Sequence, residues 1–237
     1  MEATTLKFSS VFLVGMVLSH KAMNKEAFKR HMRNLWRPKA TVVVTDLEDN
    51  RFTFGFNSMQ ERTTILHRGP WLYNKQYLLL LGEADTLAYP AQIPLHIQEF
   101  WVQFKGLPLC YMTRHMGEFL GNILGEYILM NQNRKDELFG SILRVRVCLD
   151  VRNPLQRFVN IQLDGRQMQI DARYEKLPLT CFLCEMMDHV EDQCECYEGK
   201  VLDDKDKPYG CWFQLDVLDK DYRRPIGRQF GLDAEGG

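Results

Sequence analysis

The chain has 237 residues, of which 45% are hydrophobic and 26% charged, a balance that excludes a disordered or fibrous protein. Its net charge is only −1, but residues 1–40 carry eight Lys/Arg against two Asp/Glu, and residues 181–237 carry seven against fourteen. A basic front of this kind suits a polyanionic partner. No apolar run reaches the ~20 residues of a membrane span, so we expect no membrane partner and a nuclear or cytoplasmic location.

The first part of the chain predicts a β-α-β-β-α-β order. Val11–Leu18 is a continuous apolar run, typical of a strand in the middle of a sheet. Asn24 is placed to cap a first helix, and Ser58 with Glu61 forms a Ser-x-x-Glu capping box for a second. We therefore predict an α+β fold class in which residues 1–92 form a ferredoxin-like domain, the arrangement of RNA-recognition modules. The remaining predicted strands are Thr41–Thr45, Arg51–Phe56 and Tyr77–Leu81.

Three phenylalanines, Phe52, Phe54 and Phe56, lie on one face of a predicted strand. RNA-recognition sheets stack bases on aromatic rings of this kind. A sheet also needs one apolar face against its helices. We predict that the three rings belong to the core, which leaves the open face of this sheet without stacking aromatics.

Residues 93–177 predict a second, small α+β unit after an irregular connection over residues 82–99. Thr113–Leu124 has the periodicity of a helix with one apolar stripe. Asp164-Gly165 is a strong two-residue hairpin signal between two strands. The predicted stripe of the helix consists of Met116, Phe119, Leu120, Ile123 and Leu124.

Residues 178–197 contain the pattern Cys-x2-Cys-x4-His-x4-Cys. Three thiolates and one imidazole at this spacing can surround a tetrahedral zinc ion, which supplies the folding energy of a loop too short for its own core. We predict a zinc knuckle with one structural Zn²⁺, a module that typically binds single-stranded nucleic acid. Four free thiol and imidazole groups, or a disulfide, are the alternatives. The predicted ligands are Cys181, Cys184, His189 and Cys194.

Other residues of the knuckle agree only in part with nucleic-acid binding. Phe182 and Val190 follow the first cysteine and the histidine, where they can cover the metal and offer a platform for a base. Asp188, before the histidine, tolerates the left-handed turn that glycine usually makes. Residues 181–196 contain five acidic side chains and no basic one, which disfavours phosphate binding. The knuckle is thus either a nucleic-acid contact or a structural clip, and Cys196 is a spare thiol that could compete for the metal.

Basic side chains form two candidate nucleic-acid surfaces. The first lies opposite the apolar stripe of the first helix, where cations could track phosphates or could simply be solvated. The second lies on one face of a strand in the second unit, where arginines could instead pair with acids across the sheet. The candidate contacts are Lys29, Arg30, Arg33, Arg37, Arg144, Arg146 and Arg157.

Several short motifs occur in a specific order along the chain. They include Gly69-Pro70-Trp71, Trp101-Val102-Gln103, Pro154-Leu155 and Tyr209-Gly210-Cys211-Trp212. In this order, with the knuckle, they resemble plant proteins that join an N-terminal domain of unknown function to a CCHC zinc knuckle. Such proteins are found in the first open reading frame of LINE-type (non-LTR) retrotransposons and in host genes derived from them. The resemblance implies binding of single-stranded RNA or DNA, with no catalytic activity.

No catalytic motif is evident in the sequence, since the serine-hydrolase, metalloprotease and P-loop patterns are all missing. We therefore predict a protein that is not an enzyme and takes no small-molecule substrate. The alternative function is a protein-interaction or self-association module whose knuckle is purely structural. Residues 198–237 are predicted to be a largely loose, acidic segment, apart from Tyr209–Val217.

Overall fold

The computed structural model describes residues 11–85, 87–130, 142–197 and 199. The chain divides into two compact units, Met1–His96 and Ile97–Gly237. Each contains a five-stranded antiparallel sheet with few helices, so the α+β class is confirmed. The finer division at residues 92, 177 and 197 stays a prediction, and the predicted C-terminal segment lies outside the described residues except for Gly199.

The first unit contains one sheet and two helices. Its elements are β1 (Val11–Val17), α1 (Lys25–Trp36), β2 (Val43–Asp46), β3 (Arg51–Phe56), α2 (Met59–Arg68), β4 (Trp71–Tyr73) and β5 (Tyr77–Ala84). The sheet has the strand order β2-β3-β1-β5-β4, with every neighbouring pair antiparallel. The apolar first strand is central, as predicted, and is hydrogen-bonded to β3 and β5. The short strand β4, which forms a hairpin with β5, was not predicted from the sequence.

An aromatic core lies between this sheet and its helices. Phe52, Phe54 and Phe56 are fully buried, which confirms that they are core residues. The ring of Phe28 on α1 stacks on Phe52 at 4.2 Å, and Trp36 meets Phe54 edge-on at 4.8 Å. These rings are therefore unavailable to bases.

The opposite face of the same sheet is also covered. Leu80 on this face is fully buried. The Arg51 guanidinium donates to the carbonyls of Pro90 and Ile93, at 3.2 and 3.0 Å. The side chain of Leu95 approaches Gly82 so closely that a Cβ there would lie 2.9 Å from it. The segment predicted as an irregular connection thus closes the face that an RNA-recognition sheet would leave open.

The two helix starts in this unit differ. Asn24 caps α1 as predicted, because its side-chain oxygen accepts a hydrogen bond from the Ala27 amide at 2.9 Å. The predicted capping box at Ser58 is wrong, because the Ser58 hydroxyl makes no capping hydrogen bond. The Glu61 carboxylate instead accepts from the backbone amide of Lys39 at 2.7 Å. A tertiary contact has displaced the local one.

The second unit contains one sheet and one α-helix within the described residues. Its elements are β6 (Ile97–Lys105), α3 (Arg114–Leu124), β7 (Glu126–Met130), β8 (Leu143–Asp150), β9 (Phe158–Leu163) and β10 (Arg166–Tyr174). The sheet has the strand order β7-β8-β6-β10-β9, again antiparallel throughout. Strand β7 was not predicted. The predicted irregular region over residues 82–99 is shorter than expected, because β5 and β6 occupy its two ends.

Helix α3 covers one face of the second sheet at close range. A Cβ at Gly121 would lie 3.2 Å from side-chain atoms of Val145 and Tyr127, so glycine permits this approach. The predicted apolar stripe is partly wrong, because Phe119 and Ile123 are 46% and 38% exposed. The helix rests on its glycine side, which turns these two residues towards solvent.

The hairpin between β9 and β10 is confirmed. Asp164 and Gly165 both have positive φ, 48° and 76°, as a two-residue hairpin turn requires. The register pairs Asn160 with Gln169 and Gln162 with Gln167.

Within the described residues, no helix is long and apolar enough to cross a membrane.

Replacement of a core ring tests the packing of the first unit. We expect Phe54→Ala to lower the free energy of unfolding by about 3–5 kcal/mol, because it leaves a cavity among aromatic rings. Phe119→Ala, the matched control on exposed helix surface, is expected to cost less than about 1 kcal/mol. Urea unfolding followed by circular dichroism measures both. Equal, small effects would contradict the assignment of Phe54 to the core.

Candidate metal centre and nucleic-acid surfaces

Four side chains converge in the segment after β10. Cys181, Cys184, His189 and Cys194 each offer one ligand atom, and these atoms all lie within 4.8 Å of one another. The Cys184 Sγ lies 3.3 Å from the His189 Nε2. Three sulfurs and one imidazole nitrogen are the donor set of structural zinc sites, so these residues fit a zinc ion. A bound ion would cross-link the two ends of the loop.

Backbone amides are already directed at the sulfurs. The Leu183 amide donates to the Cys181 Sγ and the Cys196 amide to the Cys194 Sγ, both at 3.4 Å. The Glu185 amide donates to the Cys181 carbonyl at 2.9 Å, which closes a tight turn. Hydrogen bonds of this kind stabilise thiolates and hold them in place for a metal.

The histidine is oriented by its neighbour in sequence. The Asp188 carboxylate lies 2.6 Å from the His189 Nδ1, so the other ring nitrogen, Nε2, faces the cysteines. Metal-binding histidines commonly have such a carboxylate partner. The prediction for Asp188 is wrong, because it does not have a positive φ, whereas Glu185 does, at 63°. The left-handed turn thus lies three residues earlier.

The thiols differ in their pKa. Burial raises the pKa of Cys184 to about 12 and also raises that of Cys181. Burial acts in the same direction on Cys194, but hydrogen bonds to His189, to the Cys196 amide and to the other cysteines outweigh it and lower its pKa to about 7. Cys194 is therefore the sulfur that loses its proton most readily.

The knuckle packs on its own unit through Glu185. The backbone carbonyl of Glu185 accepts a hydrogen bond from the Leu155 amide at 3.1 Å. The side-chain carboxylate of Glu185 lies 3.9 Å from the Arg157 Nε. Burial raises the pKa of Glu185 to about 8, although the Arg157 charge acts in the opposite direction. Arg157 is only 9% exposed, which disfavours a contact with nucleic acid, and its role there stays a prediction.

Two comparisons with known protein families match separate parts of the chain. Residues 8–81 match the family described as "Domain of unknown function (DUF4283)". Residues 149–196, which include β9, β10 and the four ligands, match the family described as "Zinc knuckle". The chain carries a DUF4283 domain followed by a zinc knuckle.

A plant protein is a distant relative. The chain is 27% identical over 135 residues to the uncharacterized protein At4g02000 of Arabidopsis thaliana. The match covers 55% of this chain and 41% of the relative, so it spans about two fifths of that protein's length. The match shows that the chain is similar to a plant protein, and it does not show a retrotransposon origin.

Helix α1 of the DUF4283 domain presents only some of its predicted contacts. The Lys29 ammonium donates to Asp46 at 2.7 Å and to Glu26 at 2.9 Å, and only 13% of its side chain is exposed. Hydrogen bonds to Lys29 and Lys25 lower the pKa of Asp46 to about 2. Lys29 is thus neutralised locally. The remaining predicted cations, Arg30 and Arg33 on the helix and Arg37 at its C-cap, are exposed.

The arginines of β8 lie on the polar face of the second sheet but are paired. Arg144 makes two hydrogen bonds to the Glu175 carboxylate, at 2.6 and 2.7 Å, and stacks 3.7 Å above the Trp101 ring. Arg146 is paired with Glu99. Pairing across the sheet, the alternative considered above, therefore describes both residues. The contact between Arg144 and Trp101 was not predicted from the sequence, because cross-strand neighbours depend on register.

Phe182, Val190 and Cys196 are the remaining residues that the sequence singles out in the knuckle. Phe182 and Val190 are partly exposed, and their contact with a base stays a prediction. Cys196 is exposed and lies outside the four-residue cluster. Its amide donates a hydrogen bond to the Cys194 Sγ.

Single substitutions separate ligand from non-ligand cysteines. We expect the full chain to hold one zinc ion and Cys184→Ser to lose it, because a hydroxyl is a poor zinc ligand. Cys196→Ser is the matched control and should keep the ion. Native mass spectrometry with and without chelator measures the content. Equal loss in both variants would place Cys196 in the site.

Zinc affinity should depend on pH. The raised pKa values of Cys181 and Cys184 mean that both hold protons near neutral pH, and zinc must displace them. Two displaced protons predict that the apparent affinity falls about a hundredfold for each unit by which pH is lowered above about pH 7. The fall should be steeper below that pH, where Cys194, with a pKa of about 7, is protonated as well. A chelator competition assay between about pH 6 and pH 8 measures this. A flat profile would contradict thiolate ligation.

Proposed function

We propose that the chain is a zinc-binding, non-catalytic protein that binds single-stranded RNA or DNA and derives from a LINE-type retrotransposon. The observation that carries the proposal is the convergence of four ligand atoms within 4.8 Å, in the order and spacing of a zinc knuckle. Four protein ligands close a tetrahedral shell and leave no open position for chemistry. A protein of this kind acts in the nucleus or cytoplasm, where thiols stay reduced.

The fold of the DUF4283 domain fits a nucleic-acid-binding ancestry but not the usual binding mode. We interpret the strand order β2-β3-β1-β5 as the ferredoxin-like arrangement of RNA-recognition modules, with β4 added at one edge. In those modules, bases stack on the open face of the sheet. Here the segment that contains Pro90 and Ile93 covers that face. Contacts must therefore come from other surfaces.

The exposed arginines of α1 are the best surface for phosphates in this domain. Arg30, Arg33 and Arg37 are exposed, and the carboxylates of Glu26 and Asp46 are held by Lys29. Arginine forms bidentate hydrogen bonds with phosphate and releases counterions when it does so. This surface supplies sequence-independent affinity.

A second candidate function is a protein-assembly module with a purely structural knuckle. The knuckle packs on its own unit through the Glu185 carbonyl and the Leu155 amide. Its exposed side chains include Asp192 and Glu195, which repel phosphates. In this case the metal maintains the surface of the second unit, and the partner is another protein or a second copy of the chain.

Charge reversal on α1 distinguishes the two functions. We expect Arg30→Glu/Arg33→Glu/Arg37→Glu to weaken binding of a single-stranded oligonucleotide. The slope of log affinity against log salt should fall by about 2, because each lost phosphate contact contributes ~0.7. Fluorescence anisotropy at several salt concentrations measures both.

Lys29→Gln is the matched control, and it should leave the slope unchanged because Lys29 is already paired with Asp46. An unchanged slope in the triple variant would remove α1 from the interface. Absence of binding by the unsubstituted protein would favour the assembly module.

A further inference from the structure

A shallow cavity of about 570 Å³ lies over the β9–β10 hairpin. Four carboxamide side chains, one phenylalanine ring and Met168 contribute to its lining, and within the described residues no charged side chain lines it. The lining is thus uncharged and combines these amides with the apolar side chains of Ile161 and Met168. The carboxamides belong to Asn160, Gln162, Gln167 and Gln169.

The register of the hairpin arranges these amides as two cross-strand pairs. Asn160 lies opposite Gln169, and Gln162 lies opposite Gln167, on the same face of the sheet. The next pair in this direction joins Phe158 to Asp171, and the Phe158 ring, which has the Arg157 guanidinium 5.3 Å from its centroid, forms one end of the patch. The arrangement is a small grid of amides beside an aromatic ring.

Most of the hydrogen-bonding capacity of this grid faces outward. The Gln169 Nε2 donates to the Asn160 Oδ1 at a long 3.4 Å, while Asn160, Gln162 and Gln167 are exposed. Each carboxamide has two N–H donors and an acceptor oxygen in one plane. Paired donors and acceptors of this kind match the edge of a nucleobase, and adenine is the usual partner of Asn and Gln.

We propose that this amide patch binds an unpaired nucleobase of a single strand, with Phe158 as the stacking ring and Asn160 and Gln169 reading the base edge. The proposal rests on the proposed nucleic-acid-binding function and adds base selectivity to it. Neutral amides do not attract phosphates, so the patch contributes discrimination and α1 contributes the salt-dependent affinity.

A neighbouring cavity links the patch to the zinc knuckle. It has a volume of about 400 Å³ and shares Phe158 and Asn160 with the first. Its lining also contains Arg157 and Glu185, the pair through which the knuckle packs on this unit. The loop that carries the zinc ligands thus contacts the residues that lead into the patch.

The test compares base preference with salt dependence in the zinc-loaded full chain. Asn160→Ala/Gln169→Ala should weaken binding of the preferred oligonucleotide by about tenfold to a hundredfold, and should level the affinities for adenine, cytosine and uracil oligomers. For the double variant, the slope of log affinity against log salt should equal that of the unsubstituted protein. Gln60→Ala, which removes an exposed amide from α2, is the matched control and should change nothing.

The outcomes separate this inference from the function on which it rests. If the unsubstituted protein binds and the double variant keeps the same affinities and base ranking, the amide patch is overturned while nucleic-acid binding stands. If no oligonucleotide binds, both are overturned.

Photo-crosslinking of the unsubstituted protein keeps the inference testable if the double variant does not fold. A 4-thiouridine strand of about eight nucleotides should form adducts within residues 158–169. Adducts confined to α1 or to the knuckle would overturn the patch.

Discussion

An antiparallel sheet must bury at least one apolar face, and the two units of this chain meet that requirement in different ways. In the first, α1 and α2 cover one face while Arg51 and Gly82 hold the segment that contains Pro90–Leu95 against the other. In the second, α3 covers one face, and the polar side chains of the other include Gln103, Arg144 and Asn160. The second face of the first sheet is therefore covered by the chain itself, whereas the second sheet presents polar side chains on one face.

The charged residues of the chain follow a common logic. Partly buried cations are paired, as with Lys29 and Asp46 or with Arg144 and Glu175, because removing a charge from water is costly unless an opposite charge or hydrogen bond replaces the water. Pairing leaves these cations little free charge for phosphates. The arginines of α1, in contrast, are exposed to solvent. Counting basic residues along the sequence therefore overestimates the number of exposed cations.

The zinc knuckle combines local and tertiary features. Its ligands and the amides of Leu183 and Cys196 come from the loop itself. Its place in the molecule is set by Glu185, which occupies a left-handed turn and packs beside Leu155 and Arg157. Glu185 thereby joins the ligand loop to the residues that lead into β9.

The sequence by itself determined the features that depend on local spacing. These are the ligand order of the knuckle, the buried first strand, the cap at Asn24, the turn at Asp164-Gly165 and the burial of the three phenylalanines of β3. Only the tertiary structure decided which partner each polar side chain meets. Glu61 accepts from Lys39 instead of capping its own helix, and the side of α3 that carries Phe119 faces solvent because Gly121 packs closer. The amide pairs of the β9–β10 hairpin are five and nine positions apart, and the two-residue turn at Asp164-Gly165 sets their register locally. For strands that no such turn joins, as with β6 and β8, periodicity shows which face a side chain shares, but the neighbour across the strand is set by long-range pairing that no local pattern contains.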